Sequence, residues 1–257
     1  MTALITGASS GIGLELARIF ASNRYDLVLV ARNEAKLLEL ARECESSGVH
    51  AYVIAADLSK ADAPRSIVEG VGRLGLQIDV LVNNAGYGLY GPFVETSLAT
   101  ELDMIQVNIA ALTELTKRLL PGMVARRSGR ILNLASTAAF VPGPLMAVYY
   151  ATKAYVLSFS EAIANELEGS GVTVTALCPG PTASGFQAAA SLEGSRLVAG
   201  KTLPSSRDVA QAGYDALMAG TVVYVPGLTN KLIAISPRFT PRALIRRIVR
   251  HMQERRS

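Results

Sequence analysis

The stretch that decides the fold is Thr2-Ala3-Leu4-Ile5-Thr6-Gly7-Ala8-Ser9-Ser10-Gly11-Ile12-Gly13, which a helical pattern follows from Leu14 to Ala21. An apolar run, a glycine-rich turn and a helix in this order let a pyrophosphate approach the backbone and rest on the helix N-terminus. The glycine spacing is Gly-x-x-x-Gly-x-Gly, which differs from the commonest dinucleotide pattern, and a turn that serves only tight packing is the alternative. The residues expected to bind a cofactor here are Gly7, Ser9, Ser10, Gly11, Ile12 and Gly13.

The same alternation continues along the chain. Short apolar or β-branched runs alternate with amphipathic helical patterns, and neither an internal repeat nor an interdomain linker interrupts them. This pattern predicts a single α/β domain with a parallel sheet covered on both faces. The predicted strands are residues 2–6, 26–31, 51–56, 80–82, 130–135, 172–178 and 222–225.

The end of the second predicted strand bears on the choice of cofactor. An acidic residue there is typical of NAD sites, whereas an arginine is typical of NADP sites, where it binds the 2′-phosphate. Arg32 follows Ala31 at this point, and Asn33 with Glu34 is typical of a helix cap with an acid in the first turn. Arg32 is therefore predicted to bind the phosphate of NADP(H), with a solvated loop charge as the alternative.

Three further strand ends carry candidate cofactor residues, because the carboxyl ends of parallel strands meet at one edge. Asp57 either accepts a hydrogen bond from the adenine or caps the next helix. The small residues after the fourth strand would let the chain pass against the adenine ribose, and the loop after the sixth would border the nicotinamide. These candidates are Asp57, Leu58, Asn83, Ala85, Gly86, Pro179, Gly180 and Thr182.

Tyr149 and Lys153 carry the candidate chemistry. In a helix over 149–168 they stand one turn apart on the same face, and a fixed ammonium favours the phenolate and lowers the pKa of a tyrosine. Ser136 could then hold a carbonyl oxygen while Tyr149 donates a proton. Spacing leaves Tyr150 open as the partner of Lys153, and a packed aromatic beside a solvated lysine is the structural alternative.

Asn108 lies inside the long helical segment predicted from Leu98 to Val124. An asparagine within a helix is unfavourable unless its amide has a specific use. Holding a water against Lys153 is one such use, and an exposed surface position is the alternative.

Composition favours a soluble protein. Half of the 257 residues are hydrophobic, no apolar run is long enough to cross a bilayer, and no cationic leader precedes the first strand. Cys44 and Cys178 have no partner spacing for a metal or a disulfide, which fits a reducing compartment. We therefore expect a cytoplasmic protein without a metal.

The net charge of +4 is concentrated at the C-terminus, where residues 231–257 hold eight basic residues and one acid. The rest of the chain is slightly acidic, so general nucleic-acid binding is not expected. Pro241 could start a helix with apolar and arginine-rich faces. This extension is predicted to meet an anionic membrane or to cover an apolar pocket, and simple packing on its own body or on a partner subunit is the alternative.

Six motifs in order resemble the short-chain dehydrogenase/reductase family over roughly residues 2–226. They are TGASSGIG at 6–13, NNAG at 83–86, Asn108, Ser136, Tyr149 with Lys153, and Pro-Gly at 179–180. The resemblance implies a doubly wound Rossmann fold of seven strands in the order 3-2-1-4-5-6-7 over residues 1–230. It also implies hydride transfer between NADP(H) and a carbonyl or alcohol.

The resemblance also implies a role for each motif residue. Tyr149, rather than Tyr150, would be the general acid/base, Lys153 would bind the nicotinamide ribose and lower the tyrosine pKa, and Ser136 would orient the substrate oxygen. Asn108 would anchor a water in the proton relay, and Thr182 would touch the carboxamide. Family members pair long helices, which here implies a homodimer or homotetramer.

Residues 183–205 are rich in Ala, Ser and Gly and are predicted to form a mobile lid. Phe186, Leu192 and Leu197 within it favour an apolar substrate over a sugar. A cofactor-sensing protein without turnover is the alternative function, although such a sensor would not need a proton donor.

Overall fold

Seven parallel strands form one sheet in the order β3-β2-β1-β4-β5-β6-β7, as the resemblance implied. The computed structural model describes residues 1–186, 190, 195–197, 200 and 202–254. The strands are β1 (Thr2–Thr6), β2 (Asp26–Ala31), β3 (Ala51–Ala55), β4 (Val80–Asn83), β5 (Gly129–Leu134), β6 (Val172–Leu177) and β7 (Val223–Tyr224). The predicted strand boundaries are therefore correct to within one residue.

Helices connect the strands and cover both faces of the sheet. The described α-helices are α1 (Gly11–Ser22), α2 (Glu34–Glu45), α3 (Ala63–Arg73), α4 (Leu98–Ile105), α5 (Leu112–Ala125), α6 (Ala147–Glu166), α7 (Ser206–Met218), α8 (Leu228–Ile235) and α9 (Arg242–Gln253). A π-helical segment, Gln106–Ala111, joins α4 to α5, and 3-10 turns lie at Thr137–Phe140 and Ser236–Arg238.

Strand β2 shows why the sheet is covered on both faces. Its side chains alternate between two core clusters: Leu27 and Leu29 pack into one, and Val28 and Val30 into the other. All four are fully buried. An uninterrupted apolar strand of this kind is stable only between two helical layers.

The chain direction across the sheet reverses beside β1. This strand pairs with β2 on one side and with β4 on the other, so the connections after β1 and β4 run to opposite faces. A crevice opens at such a point beyond the carboxyl ends of the strands. The turn after β1 and the residues after β4 meet there.

Close packing explains two of the glycines in the turn between β1 and α1. A Cβ at Gly13 would lie 2.3 Å from the Asn84 side chain and 2.4 Å from the Gly7 carbonyl oxygen. Gly7 has φ +68°, and its Cβ would lie 2.7 Å from the same asparagine amide. That amide donates to the carbonyl oxygens of Thr6 and Gly7 at 2.9 and 3.3 Å. The structure thus packs the β1–α1 turn tightly against the chain after β4.

We expect Gly13→Ala to lower the free energy of unfolding by about 2 kcal/mol, because the added methyl overlaps the backbone of Gly7. Urea unfolding measures the change. The control is Gly72→Ala in α3, because a Cβ at this position meets no atom within 4 Å. This variant should stabilise the helix by about 0.5–1 kcal/mol. Equal stability of the two variants would contradict the close packing.

Candidate active site

A cavity of about 830 Å³ occupies the crevice at the carboxyl ends of the strands. The β1–α1 turn lines one end, and the C-terminal helices line the other. Predicted cofactor residues that line it are Gly7, Ser9, Ser10, Gly11, Ile12, Arg32, Asp57, Leu58, Ala85, Gly86, Tyr149, Lys153, Pro179, Gly180 and Thr182. Ser136 lines it as well.

The turn at the start of α1 is shaped to receive an anion. Gly11 has φ +58° and lines the cavity, and a Cβ there would meet nothing closer than 3.5 Å. The Ser10 side chain makes no capping hydrogen bond, and the first turn contains no acidic residue. The backbone N–H groups of this turn and the positive end of the helix dipole therefore suit a pyrophosphate.

Gly13 does not line the cavity, and its predicted contact with the cofactor stays a prediction. Its position is explained by the packing described above. Tight packing thus accounts for Gly13, whereas Gly11 faces the open site.

Two cations stand where the cavity passes the ends of β2 and β3. Arg32 and Lys60 are exposed, both line the cavity, and both favour the ionised form of Asp57. Arg32 makes no hydrogen bond or ion pair with any residue that the structure describes, so its guanidinium is available to a ligand. Lys60 was not predicted from the sequence, because only Asp57 and Leu58 were considered at this strand end, and Lys60 lies three residues after Asp57.

Asp57 does not cap the next helix. Its Oδ1 accepts from the Ser59 backbone N–H at 3.1 Å, and α3 begins later, with Asp62 at its N-cap position. The Ser59 hydrogen bond is the main cause that lowers the pKa of the Asp57 carboxyl. The capping alternative is therefore wrong, and an ionised acceptor faces the cavity.

The two asparagines after β4 serve different purposes. Asn83 is buried, and its amide donates to Thr116 Oγ1 at 3.0 Å and to Asn133 Oδ1 at 2.9 Å. Asn133 in turn donates to Ser160 at 2.9 Å. Neither Asn83 nor this network lines the cavity, and the binding of the cofactor by Asn83 stays a prediction. Asn84, the second asparagine of the NNAG motif, lines the cavity instead.

Ser136 follows β5 and is held by backbone groups on two sides. Its Oγ accepts from the Ala138 N–H at 3.1 Å and donates to the Pro179 carbonyl at 3.3 Å. The Tyr149 side chain lies beside this serine, whose hydroxyl favours the phenolate form of Tyr149. The long bond to Pro179 can be exchanged for a bond to a substrate oxygen.

The structure distinguishes Tyr149 from Tyr150. The Tyr150 hydroxyl accepts from the Gln253 amide at 2.6 Å, and burial raises the pKa of Tyr150 to about 12. Tyr149 turns instead toward Ser136, and its ring lies 5.2 Å from that of Phe186. Only Tyr149 combines the serine contact with a position one turn before Lys153.

Lys153 is buried, with 5% of its surface exposed. Its ammonium donates to the Leu134 carbonyl at 2.6 Å and lies 5.8 Å from the centre of the Tyr149 ring. Desolvation lowers the pKa of Lys153 to about 8. A solvated lysine, the structural alternative, is therefore wrong.

The predicted lowering of the tyrosine pKa is not what this geometry produces. Burial raises the pKa of Tyr149 well above the usual range, and the Ser136 hydrogen bond only partly opposes this. The reason is that the Lys153 ammonium is directed at the Leu134 carbonyl, whereas the phenol is desolvated. Tyr149 is consequently protonated at neutral pH and is poised as a proton donor.

Asn108 lies in the π-helical segment and is 2% exposed, so the surface alternative is wrong. Its amide brackets the backbone of Tyr87, accepting from the N–H at 3.2 Å and donating to the carbonyl at 3.0 Å. It also donates to Thr152 Oγ1 at 3.0 Å. The side chain therefore fixes the loop after β4 against α6, and its role in holding a water stays a prediction.

The C-terminal helix α9 covers the end of the cavity opposite the glycine turn, as one of the two functional hypotheses expected. Ile245 and Val249 are buried against the cluster that contains Tyr149, and Gln253 is fully buried. The apolar residues that line this end are Val141, Met146, Phe186, Leu197, Ile233, Ile245, Ile248, Val249 and Met252. Phe186 and Leu197 belong to the predicted lid, and the last four belong to the helix that was predicted to cover an apolar pocket. The sequence analysis did not place Val141, Met146 and Ile233 at the site.

Part of the predicted lid lies outside the described residues, namely 187–189, 191–194 with Leu192, 198–199 and 201. Within the described part of the chain, no group of three or more His, Cys, Asp and Glu side chains is arranged to hold a metal ion. Nor is any described helix long and apolar enough to cross a bilayer.

A family model described as short chain dehydrogenase matches residues 1–193, which include the glycine turn and the Ser136, Tyr149 and Lys153 positions. The chain belongs to the short-chain dehydrogenase/reductase family. This membership agrees with the motif order in the sequence and with the observed seven-stranded topology.

Similar proteins come from several organisms. A short-chain dehydrogenase from Sphingobium yanoikuyae in complex with NADPH is 33% identical, with a TM-score of 0.81, covering 93% of this chain and 90% of that one. The bulky-bulky ketone specific alcohol dehydrogenase from Comamonas testosteroni is 31% identical, with a TM-score of 0.78, covering 88% and 86%. A very-long-chain 3-oxoacyl-CoA reductase from Laccaria bicolor is 39% identical over 67% of this chain.

The curated relatives are longer than the matched region. The match spans 52% of the Laccaria protein and 60–62% of two other relatives.

We expect the stability of the wild type, relative to Lys153→Met, to increase with pH between about 8 and 10.5. In this window the unfolded lysine still binds a proton that the folded one has lost, so the unfolded state binds more protons and rising pH favours folding. The methionine variant lacks this titration. The difference in unfolding free energy should change by on the order of 2 kcal/mol.

Urea unfolding at several pH values tests this expectation. The control is Lys60→Met, which removes an exposed lysine instead of a buried one. A flat difference for Lys153→Met would contradict the lowered pKa of Lys153.

Proposed function

We propose that this protein is an NADP(H)-dependent oxidoreductase that interconverts a carbonyl and an alcohol. The observation that carries the proposal is the placement of Tyr149 against Ser136, with Lys153 one turn further along α6, on the wall of one large cavity. A proton donor and a hydrogen-bond partner stand together where a carbonyl oxygen would gain negative charge.

The cavity also has a complete set of groups for the cofactor. The α1 turn suits the pyrophosphate, and Asp57 and Leu58 line the adenine end. Arg32 and Lys60 favour a 2′-phosphate over a bare ribose hydroxyl, which supports NADP(H) rather than NAD(H). The Sphingobium relative with NADPH is consistent with this choice.

In the proposed reduction, bound NADPH supplies a hydride to the carbonyl carbon. Ser136 turns its proton from the Pro179 carbonyl to the substrate oxygen and holds it beside Tyr149. The Tyr149 hydroxyl then donates its proton to that oxygen, which yields the alcohol. Because burial raises the pKa of Tyr149, the phenol begins the step protonated, as reduction requires.

Lys153 contributes a fixed positive charge below the phenol. Its ammonium would stabilise the phenolate that proton donation leaves behind, because charge pairs are strong in a site without water. A second contact, to the ribose of the cofactor, is proposed from the family resemblance. The Leu134 carbonyl keeps the ammonium in position for both.

An apolar carbonyl compound is the substrate class that the cavity favours. The end covered by α9 is lined mainly by aliphatic and aromatic side chains. A sugar would need several polar partners there, and the apolar side chains outnumber the polar ones, which are Asn230, Ser236, Thr240 and Gln253. Two relatives, a bulky-bulky ketone specific alcohol dehydrogenase and a very-long-chain 3-oxoacyl-CoA reductase, are named for substrates that agree with this preference.

A cofactor sensor without turnover is the competing function. The contact between Tyr149 and Ser136 speaks against it, because a sensor would gain nothing from burying a phenol beside a serine hydroxyl. We also propose a cytoplasmic location, which suits the two free cysteines, Cys44 and Cys178, and a homodimer or homotetramer.

We expect Tyr149→Phe to reduce NADPH-dependent turnover of an aliphatic or aromatic ketone at least about 100-fold, because the proton donor is lost. The dissociation constant of NADPH, measured by fluorescence titration, should stay nearly unchanged. Tyr150→Phe is the matched control and should keep most of its activity, because that hydroxyl is bound to Gln253. Loss of turnover in Tyr150→Phe alone would reverse the assignment.

We expect Arg32→Ala to weaken NADPH binding about tenfold and to leave NADH binding nearly unchanged, because only NADPH carries the 2′-phosphate. Lys36→Ala, an exposed cation on α2 away from the cavity, is the control. Equal losses for both cofactors would contradict the role of Arg32.

A further inference from the structure

Helix α8 separates the cavity from the outside of the molecule. Asn230 and Ile233 line the cavity on its inner side. Leu228, Leu232 and Ile235 follow helical spacing on the opposite side. They are 75%, 62% and 49% exposed, and α8 has no buried residue.

The apolar surface continues beyond α8. Phe239, four residues after Ile235, is 83% exposed, and Leu244 on α9 is half exposed. Single exposed apolar side chains are common, but a helix with an apolar outer face extended by a phenylalanine is typical of a binding surface. We name Leu228, Leu232, Ile235 and Phe239 the outer apolar face.

The chain segment that carries the outer apolar face contains neither Asp nor Glu, so its charged side chains are all basic. From Ala216 to Gln253 the chain contains no aspartate or glutamate, whereas Lys231, Arg238, Arg242 and Arg246 are all exposed. None of these four forms an ion pair with a residue that the structure describes. Apolar side chains flanked by cations are suited to bind an interface with an anionic outer layer and an apolar interior.

We propose that the outer apolar face and its cations bind the surface of an anionic lipid bilayer. A second copy of this chain is the less suitable occupant, because a two-fold contact would bring the same cations of both copies together. Apolar side chains would enter the acyl boundary while the arginines and the lysine pair with phosphate headgroups.

The position of the cavity gives this surface a use. The outer apolar face and the cavity lining alternate along the chain after α8. Ile235 and Phe239 belong to the outer apolar face, whereas the cavity is lined by Ser236, Pro237 and Thr240. An apolar substrate dissolved in the bilayer would then reach the cavity beside α8 without crossing water. This route rests on the proposed function, whereas membrane binding itself does not.

Vesicle flotation of the full chain tests the membrane contact without substrate or cofactor. We expect the protein to float with vesicles of phosphatidylcholine and phosphatidylglycerol at low salt, and to be released at high salt or without phosphatidylglycerol. Two double variants should each weaken vesicle binding at least about tenfold. One is Leu232→Ser with Phe239→Ser, and the other is Arg242→Gln with Arg246→Gln.

Matched controls lie elsewhere on the surface. Phe93→Ser with Val94→Ser replaces equally exposed apolar residues, and Arg65→Gln with Arg73→Gln replaces exposed cations of α3; neither pair should change flotation. Failure of the wild type to float at low salt, or equal losses in the controls, overturns the proposal. A change of oligomeric state in Leu232→Ser with Phe239→Ser, with no vesicle binding by the wild type, assigns the face to a second copy.

Activity assays separate the two proposals. With a ketone dissolved in the vesicles, the double variant Leu232→Ser, Phe239→Ser should turn over several-fold more slowly than the wild type. With a water-soluble ketone, the two proteins should have equal turnover rates. No turnover of either ketone by the wild type would overturn the proposed function and leave the flotation result standing. Equal rates on both ketones for both proteins would overturn the substrate route.

Discussion

The hydrogen bond from the Lys153 ammonium to the Leu134 carbonyl is the interaction on which the site depends. A buried ammonium is stable only when strong acceptors replace its water, and the end of β5 offers such a carbonyl. This bond joins α6 to the sheet and places Tyr149, one turn upstream, against Ser136, which follows the same strand. Donor, serine and cation are therefore positioned by one contact between a helix and a strand end.

A buried polar network supports this contact from below. Asn83 on β4 and Asn133 on β5 bind each other, and they reach α5 through Thr116 and α6 through Ser160. These hydrogen bonds join four elements and fix their relative positions, although the buried Asn83 Oδ1 has no partner among the described residues. Helix α6 thus rests on a cross-linked base, which holds the side chains of the site at fixed distances from one another.

The two ends of the cavity have opposite character. The end at β1–β3 presents backbone N–H groups, Arg32, Lys60 and an ionised Asp57, which suit a phosphorylated dinucleotide. The end under α8 and α9 presents apolar side chains, which suit the part of a substrate away from its carbonyl. Tyr149 lies where the two ends meet, so the C-terminal helices and the residues proposed to be catalytic line the same cavity.

The sequence by itself determined the order of strands and helices, the glycine turn and the shared face of Tyr149 and Lys153, because these depend on local periodicity and spacing. Tertiary structure decided which asparagine faces the cavity, Asn83 or Asn84, since neighbours in a strand end point to opposite sides. It also decided that Tyr150 pairs with Gln253, a contact 103 residues away in the chain. The pKa of Tyr149 is raised by burial among residues that are distant in the chain, including Ile245 and Val249 of α9. No local sequence pattern encodes such contacts.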